Sequence, residues 1–194
     1  AWNLAMLANA LVLLVKDQKP LNIALQSFAD TFRFKLSRLF GRKLGFAQMD
    51  EESFFPLKAV MDRFLEKSKS DFTIFFQELA EQPLEDLIQN PEDRLRFLKI
   101  VMYSEPSEEI DELFFDFIEA YKQLIEEFKI SEENRVAVMR ESNPRYILRN
   151  YILFEAIKKT ENGDNSMVKE LEDMLRSPYA KNERFEKFYA KRPK

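Results

Sequence analysis

The chain has 194 residues, of which 45% are hydrophobic and 33% charged, with a formal net charge of −4. That length suits one domain or one lobe of a larger protein; nineteen phenylalanines supply a core, and the near balance of charge argues against an electrostatic pull toward nucleic acid or an anionic membrane. With no cysteine and no histidine, disulfides, thiolate nucleophiles, zinc–thiolate sites and imidazole chemistry are all excluded.

Trp2, Leu4, Leu7, Ala8, Leu11, Leu14 and Val15 recur at three- and four-residue spacing, which predicts an amphipathic helix ending near Lys16. The run is too short to span a bilayer, which takes about 20 apolar residues, and no basic stretch precedes it as in a signal peptide. The chain opens without methionine and already in helical register, an arrangement expected if a larger N-terminal part precedes it. After a break at Asp17-Gln18-Lys19-Pro20, a second helix is expected from about Leu21 to Phe40 with Leu25, Phe28, Ala29, Phe32, Leu36 and Leu39 on one side. Arg33, Lys35, Arg38, Arg42 and Lys43 crowd its C-terminal half, where cations complement the helix dipole. Gly41-Arg42-Lys43-Leu44-Gly45 ends it and lacks the spacing of a phosphate-cradling loop.

Further helices are expected from about Asp50 to Lys67, with Pro56 in the first turn or at a kink, and from Phe72 to Ala80 after the cap Ser70-Asp71. A short turn covers Leu84 to Gln89, and Asn90-Pro91-Glu92-Asp93 opens another helix. Ser107-Glu108-Glu109 starts a long helix to about Lys129, and Ser131-Glu132-Glu133 starts the next. A helix from Pro144 to about Asn162 is apolar nearly all round, as in an enclosed element. Asn162-Gly163 reads as a left-handed C-cap, Asp164 caps a helix carrying Val168, Leu171, Met174 and Leu175, Ser177-Pro178-Tyr179 stops that helix, and Phe185, Phe188 and Tyr189 mark a last short one. The expected fold is all-α, an irregular bundle of about nine or ten helices without a solenoid repeat.

Three polar residues of the 143–150 stretch stand out. Asn143 is expected to cap the enclosed helix, as Asn90 caps its own. Arg149 and Asn150 fall within it, and an unpaired buried guanidinium or amide costs about 2–5 kcal/mol. They are expected to join an internal salt bridge and amide network that fixes how neighbouring helices dock, or alternatively to orient loops of an active site outside this chain. The acidic pairs Glu51-Glu52, Glu108-Glu109, Asp111-Glu112, Glu126-Glu127 and Glu132-Glu133 fit first turns and outer faces rather than a metal site. The doublets Phe54-Phe55, Phe75-Phe76 and Phe114-Phe115 fit core packing rather than base stacking.

Three ordered segments carry a family resemblance: Trp2-Asn3-Leu4 with Leu7-Ala8; Asp71-Phe72-Thr73-Ile74-Phe75-Phe76 with Leu79; and Met139-Arg140, Asn143-Pro144-Arg145-Tyr146-Ile147-Leu148-Arg149-Asn150, Glu155-Ala156-Ile157, followed by Pro178-Tyr179. Together they resemble the C-terminal part of the selenoprotein O (SelO, YdiU) family. Arg145 stands where that family more often has Lys, and Ser142 where Val is usual; its cysteine or selenocysteine tail is missing. The resemblance implies a kinase-like parent that transfers AMP from ATP to protein Ser, Thr or Tyr hydroxyls with a divalent metal, Mg²⁺.

It further implies that residues 1–50 finish the kinase-like C-lobe, that residues 51–194 form family-specific helices, and that nucleotide and metal residues lie upstream. This chain has no Gly-rich loop, no H-R-D and no D-F-G, so no catalytic, cofactor-binding or metal-binding residue is carried over. Asn143, Arg149 and Asn150 remain as structural candidates. The implied partners are the upstream lobe and the parent's protein substrates, with neither nucleic acid nor membrane. The implied location is the bacterial cytoplasm, or the mitochondrion in a eukaryote. The alternative is a stand-alone helical interaction module.

Overall fold

The structure, a computed structural model, describes residues 2–15 and 17–193. Among these, ten α-helices and one 3₁₀ helix follow one another, and no strand forms. They are α1 (Trp2–Leu11), α2 (Lys19–Lys43), α3 (Glu51–Ser68), α4 (Phe72–Glu81), α5 (Leu84–Gln89), α6 (Pro91–Val101), α7 (Glu108–Glu127), α8 (Glu132–Ser142), α9 (Asn150–Glu161) and α10 (Ser166–Arg176), then a 3₁₀ helix at Glu183–Phe188. α1 stops at Leu11, earlier than its apolar spacing predicts; the expected end at Lys16 lies outside the described residues. Pro56 sits in the second turn of α3, which continues through it.

Side-chain caps set most of the helix starts. Asp50 accepts from the Ser53 N–H at 2.8 Å, Asp71 from Ile74 at 3.1 Å, Asn90 from Glu92 at 3.0 Å and Ser131 from Asn134 at 3.3 Å. Each satisfies an amide that the first helical turn leaves without a partner. Gly163, at φ 83°, closes α9 in the left-handed conformation, and the Asp164 carboxylate accepts from the Ser166 N–H at 2.9 Å to start α10.

The main core gathers α3 to α8 with the end of α2. Phe64, Phe75, Phe97, Phe114 and Phe117 are fully or almost fully buried, and Phe97 stacks on Phe114 with centroids 4.7 Å apart. The enclosed element is α4: Ile74, Phe75, Phe76, Gln77, Leu79 and Ala80 are all buried, between α6 and α8. A second, smaller core joins Tyr146 to α9, α10 and the 3₁₀ helix through Ile152, Met167, Leu171, Met174 and Phe185. The tail folds back over the main core. Tyr189 Oη donates to Glu78 at 2.9 Å, Lys191 Nζ donates to the carbonyls of Lys99 and Met102 at 3.1 and 2.6 Å, and the Arg192 guanidinium lies over Tyr103.

The expected helix from Pro144 to Asn162 is corrected. Residues 144–149 are non-helical and α9 begins at Asn150. Asn143 does not cap α9; it ends α8, and its side chain is committed elsewhere. The Arg145 and Tyr146 amides, which would lie in the first turn of the expected helix, both donate to the Pro178 carbonyl at 2.8 and 3.0 Å. A tertiary acceptor has taken the place of the expected Asn143 cap on these amides. Nor is α9 enclosed: Ile152 and Ala156 are buried, whereas Leu153, Phe154 and Ile157 are exposed.

Candidate functional site

The extended segment after α8 ties three elements together through buried polar groups. Asn143, 2% exposed, is satisfied on every side. Its Nδ2 donates to the carbonyls of Lys43 and Met139, both at 2.9 Å, and its Oδ1 accepts from Lys43 Nζ at 3.0 Å. Its main-chain carbonyl accepts from Gln77 Nε2 at 2.6 Å. Asn143 thus fastens the end of α2 through its carboxamide, and the middle of α4 through its main-chain carbonyl, to the end of α8. Burial pushes the Lys43 ammonium below its ordinary pKa.

At the far end of the same extended segment, Arg149 meets Asp71. Its Nη1 and Nη2 donate to the two carboxylate oxygens at 2.6 and 2.9 Å, and the Asp71 side chain is 2% exposed. Tyr103 Oη donates to the same carboxylate at 2.6 Å, beside the α4-capping bond from Ile74. Burial pushes the Asp71 carboxyl up, but the hydrogen bonds from Arg149, Tyr103 and the Ile74 amide outweigh it and hold the pKa below the usual value. A carboxylate so engaged is a poor proton acceptor and a good anchor. Asn150, by contrast, is exposed and makes no hydrogen bond through its side chain among the described residues. The carboxamide that is locked in the interior is therefore Asn143.

Arg145 lies between these networks and the smaller core. It donates to both oxygens of Glu186 at 2.8 and 2.6 Å, covers the Tyr189 ring at 3.7 Å, and shares Glu186 with Tyr146 Oη. The Arg145 hydrogen bonds, opposed by burial, hold the Glu186 carboxyl down to about 2. Sequence reasoning missed Asp71 as the partner of Arg149, because the capping role of Asp71 already explained it. Arg135 was missed as well: it is fully buried, donates to the Leu79 and Gln82 carbonyls at 3.0 Å each, and pairs with Glu132. It stands on a helix with almost no apolar stripe, so its burial leaves no mark in the pattern.

Among the described residues, no three His, Cys, Asp or Glu side chains converge as metal ligands, and no helix is long and apolar enough to cross a membrane. Asp71-Phe72-Thr73 is a helix cap and the first turn of α4. An uncommitted feature among the described residues is instead apolar. α1 buries no side chain at all, and Trp2, Leu7, Ile23, Phe32 and Leu39 of α1 and α2 stand 72%, 55%, 68%, 54% and 63% exposed. Phe32 and Leu39 lie on one side of α2 and Ile23 on the other, and large apolar side chains open to water are what a docking surface presents.

A family model described as protein adenylyltransferase SelO matches residues 1–176. The protein nucleotidyltransferase YdiU of Cytophaga hutchinsonii is 35% identical over 195 residues, which is 99% of this chain and 36% of the relative. Those of Flavobacterium johnsoniae and Rhodopirellula baltica are each 32% identical, over 99% of this chain and 36% and 37% of their own length. The chain thus spans about a third of the curated relatives it matches. With its second and third signature segments joined through Asp71 and Arg149 and the family match running from α1 through α10, this chain belongs to the SelO family of protein adenylyltransferases.

Proposed function

We propose that this chain is the helical scaffold of a SelO-type enzyme that moves AMP from ATP to Ser, Thr or Tyr hydroxyls of proteins. On this reading ATP, Mg²⁺ and the reacting groups belong to a kinase-like lobe of the same polypeptide, which residues 1–50 complete and residues 51–194 support. The observation that carries it is the face of α1 and α2, built of large apolar side chains yet covered by nothing among the described residues. Such a face is stable in water when another body lies on it. Transfer of a phosphoryl-type group depends on donors and metal held in place beforehand. The Asn143 and Arg149 networks give the support beneath them its rigidity. The same reading places the protein in the bacterial cytoplasm, where the named relatives' organisms would carry it.

Labelled ATP with Mg²⁺ tests the proposal on two proteins: the 194-residue chain, and the chain expressed with its flanking coding sequence. The longer protein is expected to label itself or a protein acceptor, and the chain alone to give neither label nor heat on titration with ATP and Mg²⁺. Nucleotide binding by the chain alone, or flanking sequence that encodes no ATP-binding lobe, would sink it. The second outcome would favour a stand-alone interaction module, the other reading that an exposed apolar face supports.

A further inference from the structure

Three uncovered apolar side chains of α2, Phe28, Phe32 and Leu39, share one side of the helix with the exposed Lys35, and that side ends at Lys43, while Ile23 and Phe34 lie on the opposite side. At 100° per residue, Phe28, Phe32, Leu39 and Lys43 fall within about 60° of one another. At the N-terminal end of this stripe, Ala5, Leu25, Phe28, Ala29 and Phe32 line an apolar groove of about 370 Å³ between α1 and α2. At its C-terminal end Lys43 lines a second cavity of about 220 Å³ with Phe72, Phe76, Pro144 and Ile147.

The ammonium there is held by neutral groups. It donates to Asn143 Oδ1 at 3.0 Å and more weakly to the Ser142 carbonyl at 3.5 Å, and lies 5.2 and 5.7 Å from the ring centres of Phe76 and Phe72. An ammonium has three donors and a full charge. Arg94, Arg135, Arg145 and Arg149 each hold a carboxylate where they are buried or nearly so, and Lys43 holds none among the described residues. A cation half withdrawn from water without a counter-ion carries part of the cost of a buried charge, and burial does lower its pKa.

Resting on the function proposed above, we infer that the ATP-binding lobe of the same polypeptide sits along this stripe and delivers an Asp or Glu carboxylate into the Lys43 cavity. The occupant follows from length and charge. In the named relatives nearly two-thirds of the polypeptide lies outside the matched third, and an apolar ridge ending in an anion complements an apolar stripe ending in a cation.

The test is a zero-length cross-link. A carbodiimide joins a carboxylate to a neighbouring amine as an amide, taking up the lost water as a urea. In the protein expressed with its flanking sequence, Lys43 is expected to link to one Asp or Glu outside the 194 residues, and Lys43→Met to lose that link. Acylation of Lys43 by an acetyl succinimidyl ester needs no variant. It is expected to be about tenfold slower in the longer protein than in the chain alone, as when a carboxylate raises an amine's pKa by a unit, while exposed Lys159 reacts equally in both. Equal acylation of Lys43 in the two proteins, or a link from Lys43 to a second copy of the chain, overturns the inference. A longer protein that transfers AMP yet leaves Lys43 open overturns this inference alone; flanking sequence without an ATP-binding lobe overturns both.

Discussion

Replacing Arg149 by Met removes the partner of a carboxylate that cannot reach water. Asp71 is left with two donors, the Tyr103 hydroxyl at 2.6 Å and the Ile74 amide at 3.1 Å, in a position where its side chain is 2% exposed. Breaking a buried pair from one side costs about 3–5 kcal/mol. The two surviving hydrogen bonds put this case at the lower end, about 3 kcal/mol. For a chain of this size that is a fall in Tm of about 6–12 °C. Asp71→Asn keeps an oxygen for the α4 cap and loses the charge, for about 2 kcal/mol. Because the two side chains share their bonds, the double variant should be less damaged than the sum of the singles, with a coupling of about 1.5–2 kcal/mol.

Urea unfolding followed by far-ultraviolet circular dichroism gives all three values. Additive losses, or an Arg149→Met protein that melts with the wild type, would refute the reasoning. The pH dependence has a definite sign. The Asp71 carboxyl is held below its unfolded value of about 3.9, so its contribution is complete above that pH and disappears as the pH falls through the lowered folded value. Asp71→Asn should therefore approach the wild type in stability at strongly acid pH.

Three further outcomes are expected. Glu186→Gln should flatten the fall in stability between pH 4.5 and about 2, because a carboxyl held down to about 2 keeps its full contribution above the unfolded value and loses it through that window; acid titration of unfolding free energy reads the slope. Gly45→Ala should cost clearly more than Gly163→Ala by calorimetry. Both glycines have positive φ, worth about 1–2 kcal/mol to an added Cβ, but only at Gly45 would that Cβ lie 2.6 Å from Arg135 Cγ and 2.9 Å from the Arg135 carbonyl, whereas Gly163 opens on empty space. Arg135→Met should lose about 3 kcal/mol in urea unfolding, since the Leu79 and Gln82 carbonyls at the end of α4 then lack their donor; a loss under about 1 kcal/mol would show that solvent reaches them.

Helix starts were legible wherever a local side chain decides them. Asp50, Asp71, Asn90 and Ser131 all cap as their positions imply, and the acid pairs after Asp50, Ser107 and Ser131 stand in first turns. The same signal failed once, at Asn143-Pro144. Asn90-Pro91 begins a helix with the Asn90 side chain bonded only within that first turn, to Glu92 and Asp93, while Asn143 is claimed by Lys43 and Met139 and the next two amides by Pro178. Those partners lie up to 100 residues away, beyond any local pattern. For Arg149, the need for a buried partner followed from its neighbours, and the partner exists in Asp71; Asn150 was read by the same argument and lies in water. The apolar stripe on α2 was legible as a stripe, yet periodicity does not tell an inner face from one awaiting cover.

The returning tail has a practical consequence for anyone trimming this protein. The family match stops at residue 176, and a boundary chosen there discards Pro178, Glu186, Tyr189 and Lys191 together. That one cut strips the acceptor from Arg145 and Tyr146, the counter-ion from Arg145, and the strap that crosses from Glu78 to the carbonyls closing α6. Sequence similarity draws the border of kinship, and the hydrogen bonds draw the border of a piece that holds its shape; here the second lies at least fifteen residues beyond the first.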